Sequence, residues 1–240
     1  MQAAAKCSWK VQVPVPVRRL RIHTRSAGLK SNGAYFGSTR GLTNSRHAPL
    51  LRRRRSSGHD QSCNTCVAQL GIFFSTSTGH TEEIAGLIKE EFGDEASDPA
   101  DIGETDLQKL PDYYGLVVGA PTWNTDCDTE RSGTNWDGLL KDIKGLDLKH
   151  KPVAVFGLGD SVGYGDYFCD AMEEIYNTFK ATGARMVGHW PAQGYDHEGS
   201  KALLDDNTFC GLALDEDNQD DLSADRIKTW VAQISKEMNA

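Results

Sequence analysis

The hydrophobic positions of residues 67–240 occur either in short continuous runs or at helical spacing. Residues 67–74 form a nearly unbroken apolar run, V-A-Q-L-G-I-F-F, and residues 113–120 and 153–156 form two more. Such runs are typical of parallel strands that are buried on both faces. We also predict a strand at 185–190 and one within 94–101, which is weakly marked but needed to complete the alternation of strands and helices.

Between the runs, apolar residues recur at intervals of three and four, as they do along amphipathic helices. The spacing predicts helices around residues 84–88, 168–179 and 227–234, with Gly183 as a C′ glycine and Ser223 as an N-cap. Alternating strands and helices indicate an α/β fold with a parallel sheet. Because ligands bind at the carboxyl ends of such strands, we expect function in the loops that leave them.

Charge divides the chain, whose net value of −8 conceals two opposite parts. Residues 1–65 hold 13 Lys and Arg and one acid, Asp60, whereas residues 66–240 hold 13 Lys and Arg against 33 Asp and Glu, a net charge of −20. An Arg-rich, Ser-rich, acid-poor N-terminus is typical of an organelle transit peptide. We therefore predict that residues 1–66 are a disordered transit peptide and that residues 67–240 are the folded domain.

Two alternatives for the basic segment stay open at this point. It could be a basic tail that remains attached, or an arm that binds nucleic acid through its arginines. The strongly acidic remainder would repel a phosphate backbone, so we expect no nucleic-acid partner. No stretch approaches 18 consecutive apolar residues, so the sequence predicts no insertion into a membrane.

The segment S-T-S-T-G-H-T at residues 75–81 follows the first strand and opens the first helix. Hydroxyl groups and the amides of a helix N-terminus together form an anion site. It is not an ATP-type phosphate loop, because Phe74 and His80 stand where that motif has Gly and Lys. The segment indicates a single terminal phosphate; the alternative is a helix cap rich in Ser and Thr.

Two further loops carry aromatic and polar residues. P-T-W-N-T at residues 121–125 places Trp123 at a strand end, although a Trp packed on the core rim fits equally well. G-L-G-D-S-V-G-Y at residues 157–164 differs from a dinucleotide motif in its third glycine, and Asp160 would face a pyrophosphate; a plain glycine-rich turn is the alternative. A monophosphate site, two aromatic faces and a carboxylate together favour FMN over ATP or NAD.

No catalytic constellation is indicated elsewhere. The sequence offers no Ser-His-Asp, Cys-His or paired-carboxylate arrangement, and the histidines of residues 67–240 are dispersed. We therefore expect neither an enzyme active site nor a metal site.

In the order and spacing of these three loops, residues 67–240 resemble a flavodoxin. Residues 190–207 resemble the insertion that splits the last strand of long-chain flavodoxins, and L-A-L-D-E-D-N-Q at 212–219 resembles their C-terminal signature. D-T-E-R-S-G-T at 128–134 resembles an elongation found in some algal members. The resemblance implies a flavodoxin-like, doubly wound, five-stranded parallel sheet in the order 2-1-3-4-5, with helices on both faces. It also implies a plastid protein of algal type.

The resemblance implies the cofactor contacts residue by residue. The FMN phosphate would be held by Thr76, Ser77, Thr78, Gly79, His80 and Thr81. Trp123 and Tyr164 would sandwich the isoalloxazine ring, and Gly159 and Asp160 would meet its pyrimidine edge. Asn124 would offer its backbone carbonyl to the flavin N5–H of the semiquinone after a peptide flip. The other implied contacts are Pro121, Thr122, Thr125, Leu158 and Tyr167.

Three positions depart from the commonest family pattern. His80 stands where Lys is frequent, Asp126 where Gly is common, and Tyr167 where Asn is usual. The first departure affects the phosphate contacts, the second the mobility of the Trp loop, and the third one polar contact to the flavin.

The function implied by the resemblance is that of a low-potential one-electron carrier, not an enzyme. Its FMN would shuttle between semiquinone and hydroquinone, taking electrons from photosystem I to ferredoxin–NADP reductase in the chloroplast stroma and replacing ferredoxin when iron is scarce. We expect a monomer that docks onto basic-faced redox partners. Two alternatives are a flavodoxin-like NAD(P)H quinone reductase and a phospho-acceptor module, the latter needing acids where Ser75 and Thr76 stand.

Overall fold

The computed structural model describes residues 69–240, and the predicted transit peptide at residues 1–66 lies outside the described residues. In chain order the elements are β1 (Leu70–Phe74), α1 (His80–Phe92), β2 (Ala100–Asp101), β3 (Gly115–Pro121), α2 (Asn135–Ile143), β4 (Pro152–Leu158), α3 (Asp170–Ala181), β5 (Arg185–Val187), β6 (Trp190–Pro191), β7 (Leu203–Asp205), β8 (Thr208–Phe209), β9 (Leu212–Leu214) and α4 (Asp220–Met238).

The central sheet is parallel and has the strand order β2-β1-β3-β4-β5, which confirms the predicted doubly wound topology. Two strands, β5 and β9, share the outer position of the sheet beside β4. β5 pairs with Pro152–Ala154 at the start of β4, and β9 pairs with Phe156–Leu158 at its end. Residues 188–211 lie between the two halves and contain the antiparallel sheet β6-β8-β7, so the last strand is split by an insertion, as predicted.

Helices cover both faces of the sheet because neighbouring strand residues point to opposite sides. On one face Val118 packs with α2 and α3, where Trp136 and Phe179 are fully buried. On the other face Val117 packs with α1 and α4, where Trp230 is fully buried. None of the helices within residues 69–240 combines the length and apolar composition needed to cross a bilayer.

Two predictions of secondary structure were wrong. The strand expected at 185–190 ends at Val187, because Gly188 has φ +79° and the chain turns there before Trp190 enters the small sheet. A side chain at Gly188 would approach the Trp230 ring nitrogen to 2.8 Å. Helix α4 begins at Asp220, so Ser223 lies inside it and is not the N-cap; its hydroxyl donates instead to the Glu216 carboxylate.

The structure contains the predicted strand β2 and the predicted C′ glycine, and it adds one helix that the pattern did not predict. The weakly marked strand within 94–101 exists as the two residues of β2, preceded by a hydrogen bond from the Ser97 amide to the Leu70 carbonyl (2.8 Å). Gly183 has φ +85° directly after the cap of α3, as a C′ glycine does. Helix α2 was not predicted, because its nine residues bury only Trp136, Leu140 and Ile143.

Candidate functional site

Three loops leave adjacent strands at the carboxyl edge of the sheet. The first loop (75–81) follows β1, the second loop (121–134) follows β3, and the third loop (158–167) follows β4. Backbone hydrogen bonds connect the strand ends in sequence, from the Ser75 amide to Gly119 (3.3 Å), from Thr122 to Leu158 (3.0 Å) and from Gly159 to Leu214 (3.1 Å). The loops that the sequence singled out therefore lie side by side.

Ser75 ties the start of the first loop to Gly119 and to the Asp101 carboxylate, and the rest of the loop is closed by its own residues. The Gly79 amide donates to the Thr76 hydroxyl (2.9 Å), and the Glu83 amide donates to the Gly79 carbonyl (3.0 Å) to open α1. Gly79 has φ +99°, a left-handed conformation that favours glycine. Ser77 and Thr78 are exposed at the tip, so their hydroxyls and the helix N-terminus face solvent together, as an anion site requires.

The electrostatics of the first loop depend on His80, because no Lys or Arg lies within residues 75–81. Two acids of the C-terminal segment face it. Burial raises the pKa of Glu216 and of Asp217, and the charge of His80 opposes the rise in both cases. Within residues 75–81 the His80 imidazole is therefore the only group that can be cationic, and two carboxylates lie beside it.

The second loop presents Trp123, whose side chain is half-buried. The amides of Trp123 and Asn124 both donate to the Arg131 carbonyl, each over 3.1 Å. The Thr122 hydroxyl accepts from the Ala171 amide at the start of α3 (3.2 Å). The indole Nε1 is buried and has no hydrogen-bond partner within residues 69–240, an arrangement that suits a ligand acceptor beside the ring.

The third loop is shaped by the Asp160 carboxylate. Its Oδ1 accepts from the Val162 amide (3.1 Å) and the Gly163 amide (2.6 Å), and the Asp160 carbonyl accepts from the Tyr164 amide (3.1 Å). A side chain at Gly163 would come within 2.2 Å of Asp160 Oδ2. The carboxylate is thus turned onto its own loop, which leaves the loop backbone and the half-buried Tyr164 ring for a ligand.

Sequence reasoning missed the two residues that hold the third loop in place. Asn218 Nδ2 donates to Asp160 Oδ1 (2.9 Å) and to both oxygens of Asp215 (3.0 Å each). Asp215 is fully buried and also accepts from the Ser161 amide (3.0 Å) and hydroxyl. Both residues lie in the 212–219 signature, which was the only signal for them.

The remaining predicted residues occupy different environments. The side chain of Leu158 lies in the core, and its carbonyl accepts from Thr122, so neither group is available to a ligand. Pro121 is buried at the end of β3. Tyr164 and Tyr167 are half-buried in the third loop, and the Asp126 carboxylate, which hydrogen-bonds the Tyr167 hydroxyl, raises the pKa of that tyrosine. Thr81 is buried and Thr125 half-buried.

The residues at this edge fit a phosphorylated aromatic ligand. Neither the Trp123 nor the Tyr164 ring is paired with another aromatic ring of residues 69–240, so each has a face for a planar group. The first loop supplies hydroxyls and helix-terminal amides for a phosphate. Within the same residues, no cluster of three His, Cys, Asp or Glu side chains could hold a metal ion.

Comparisons with known proteins agree on one family. The family model described as flavodoxin matches residues 72–230. Flavodoxin 1 of Escherichia coli is 42% identical over 176 residues, which cover 72% of this chain and 96% of that protein. The flavodoxin of Synechococcus elongatus is 44% identical over 172 residues, covering 71% and 98%. A solved structure of Fusobacterium nucleatum flavodoxin bound to flavin mononucleotide is 28% identical, with a TM-score of 0.64, and covers 70% of this chain and 98% of that one.

Proposed function

Because this chain belongs to the flavodoxin family, we propose that it carries single electrons on an FMN held by the three loops. Proteins of this family are electron-transfer proteins rather than enzymes, and their cofactor is FMN. When bound, FMN supplies the redox chemistry, because it takes up and releases one electron at a time. The chain contributes binding, orientation and charge.

The first loop would hold the FMN phosphate. The hydroxyls of Thr76, Ser77, Thr78 and Thr81 would donate to the phosphate oxygens, and the N-terminus of α1 would add amides and a favourable dipole. His80 would supply the cationic contact that the loop otherwise lacks. Gly79 allows the turn because its φ of +99° is a left-handed conformation that favours glycine.

The second and third loops would hold the flavin ring. Trp123 and Tyr164 would flank its two faces and exclude water from them. The backbone of Gly159 and Asp160 would hydrogen-bond its polar edge, while the Asp160 carboxylate keeps the loop in shape. Asn124 would offer its backbone carbonyl as an acceptor for a ring N–H.

The acidic charge of the domain would set both potential and docking. Residues 66–240 carry a net charge of −20, which disfavours the addition of negative charge to a ligand at the sheet edge and so lowers its reduction potential. The same charge would steer the protein onto basic surfaces, with association rates that fall as salt is added. We expect a monomer in solution.

We propose photosystem I as the electron donor, ferredoxin–NADP reductase as the acceptor, and the chloroplast stroma as the compartment. The cyanobacterial relatives support this assignment, as does the acid-poor composition of residues 1–66, which we propose to be a transit peptide. The carrier would replace ferredoxin when iron is scarce, as in long-chain flavodoxins of algal plastids. A flavodoxin-like quinone reductase is not favoured, since the sequence shows no added nicotinamide site.

The observation that carries the proposal is the convergence of the three loops at one sheet edge, joined through their strand ends by backbone hydrogen bonds. It is tested with the purified full chain loaded with FMN, isolated photosystem I and ferredoxin–NADP reductase. We expect light-dependent reduction of NADP without ferredoxin, slowed by added salt. A protein that binds FMN but fails to support NADP reduction would contradict the partner assignment. Steady oxidation of NADH by the loaded protein alone would favour an enzyme.

The transit peptide is tested by import into isolated chloroplasts followed by mass measurement. We expect a protected stromal product cut near residue 66. A protected product of unchanged mass would contradict the cleaved leader, and no uptake would contradict both the leader and the compartment.

A further inference from the structure

The second loop is held from outside by two acids of helix α3. The two carboxylate oxygens of Glu174 accept separately from the amides of Glu130 and Arg131, each over 3.1 Å. The Arg131 guanidinium, 4% exposed with its residue, pairs with Glu173 and lies 3.7 Å from Glu174 through its Nε. One turn of α3 therefore contacts four groups of Glu130 and Arg131. These are their two backbone amides and the Nη2 and Nε atoms of the guanidinium.

The two loop residues held by α3 also bind the segment that carries Trp123. The Arg131 carbonyl accepts from the amides of Trp123 and Asn124, and the Glu130 carbonyl accepts from Asn124 Nδ2 (2.5 Å). Every described backbone hydrogen bond of the Trp123–Asn124 segment thus ends on residues 130–131. Because those residues are held by α3, the position of Trp123 depends on the amide bonds to Glu174 and on the Arg131 ion pair.

A buried ion pair of this kind adds little to the net stability of the fold. A buried arginine costs desolvation energy that its partners offset only with complete hydrogen bonding, yet Arg131 Nη1 and Nε have no hydrogen-bond partner within residues 69–240. Glu130 has φ +60°, a strained value for a residue with a side chain. Such strain persists where surrounding contacts impose it, and here those contacts are the bonds to Glu174 and Asn124.

We propose that Glu174 and Arg131 are positioning residues for the flavin ring, an inference that rests on the proposed function. They fix the backbone of Trp123 and Asn124 so that the indole stands at the sheet edge before a ligand binds. The fixed segment ends at the Asn124 amide, so the following peptide, which carries the Asn124 carbonyl, lies just beyond it. Glu174 and Arg131 therefore determine where the movable peptide begins. They also determine the geometry of the Asn124 carbonyl, which is the acceptor offered to the ring.

The test compares Glu174→Gln with the control Glu91→Gln, which removes the same charge from an exposed position on α1. Gln keeps the shape of Glu but replaces one acceptor with an NH₂ that faces a backbone N–H. In the full chain without FMN, we expect hydrogen exchange at the Trp123 and Asn124 amides to accelerate about tenfold. The Trp136 indole N–H, bonded to the Gly119 carbonyl (2.9 Å), reports on the core and should exchange as in the unchanged chain.

The second readout is the affinity for FMN and the midpoint potential of the loaded protein. Glu174→Gln should weaken FMN binding about tenfold and shift the potential relative to Glu91→Gln. Equal affinity, potential and amide exchange in the two variants would overturn the inference, as would equal acceleration at Trp123 and at the Trp136 indole. Should Glu174→Gln fail to fold, Glu173→Gln, which touches only the Arg131 side chain on the loop, provides the same comparison.

The outcome separates this inference from the proposed function. An unchanged chain that binds no FMN would overturn the proposed function, and with it the role of these acids toward a flavin. An unchanged chain that binds FMN, together with a Glu174→Gln variant that binds it equally well, would overturn the inference alone.

Discussion

The first and second loops meet at the same sheet edge but are held in different ways. The first loop closes on itself, through a bond between the Gly79 amide and the Thr76 hydroxyl three residues away. The second loop depends on Glu174, which is 43 residues from the Arg131 amide that it binds. The third loop also depends on a distant residue, since Asn218 lies 58 residues from the Asp160 carboxylate that it binds. The first loop can therefore keep its shape locally, whereas the second and third loops take theirs from the rest of the fold.

The largest expected effect is at the distant support of the third loop. Asn218→Asp removes the amide donor between Asp160 and Asp215 and places a third carboxylate within about 3 Å of both. We expect a loss of about 3 kcal/mol in the free energy of unfolding, measured by urea denaturation, and FMN binding weakened by tenfold or more.

The matched control is Asn207→Asp, which adds the same charge at another exposed position, one that does not bridge Asp160 and Asp215, and keeps the oxygen that accepts from Gln193. Equal stability of the two variants would show that the third loop does not need its distant support.

A smaller effect is expected where the second loop meets the ligand. Trp123→Ala removes a half-buried ring whose proposed partner is the flavin, so FMN affinity should fall by about 2 kcal/mol, or roughly thirtyfold. The unfolding free energy of the FMN-free protein should change much less than for Asn218→Asp. Fluorescence titration measures the affinity. A variant that binds FMN normally would remove Trp123 from the site.

The first loop should respond to a purely local change. Gly79→Ala forces a side chain into φ +99°, at a cost of about 1 kcal/mol in the unfolding free energy. Gly86→Ala is the matched control inside α1, where a Cβ meets no atom within 4 Å; it should instead stabilise by about 1 kcal/mol. Thermal denaturation of the two variants should therefore move in opposite directions, and shifts of the same sign would contradict the local account.

The smallest effect is electrostatic and depends on pH. Burial and the charges of Asp160 and Asp215 raise the pKa of Asp217, so its charged form destabilises the fold at neutral pH and this penalty disappears as the pH falls through the raised pKa. Because Asp217 keeps most of its contact with solvent despite this partial burial, Asp217→Asn should stabilise by less than about 1 kcal/mol at pH 7 and by nothing near pH 3. Asp225→Asn on α4 is the control, and an equal gain from it would contradict the assignment to Asp217.

What could be predicted from the sequence follows the same division between local and distant contacts. Most strands and the first loop depend on residues adjacent in the chain, and their patterns predicted them. The split of the fifth position was implied by the resemblance to long-chain flavodoxins and not by a local pattern. Gly188 and Ser223 misled the prediction of local boundaries, because packing against Trp230 and Glu216 decided them. Glu174 gave no signal and Asn218 gave only its place in the 212–219 signature, since a surface-type residue on a helix or turn shows its role only after the fold brings a loop to it.

The central claim is that the three loops together hold one FMN, and its most direct test is a fluorescence titration of the FMN-free full chain. We predict saturation at one FMN per chain, with affinity lowered by Gly79→Ala, Trp123→Ala and Asn218→Asp, one change for each loop, and unaltered by Asn207→Asp. No saturable binding, or binding indifferent to all three changes, would contradict it.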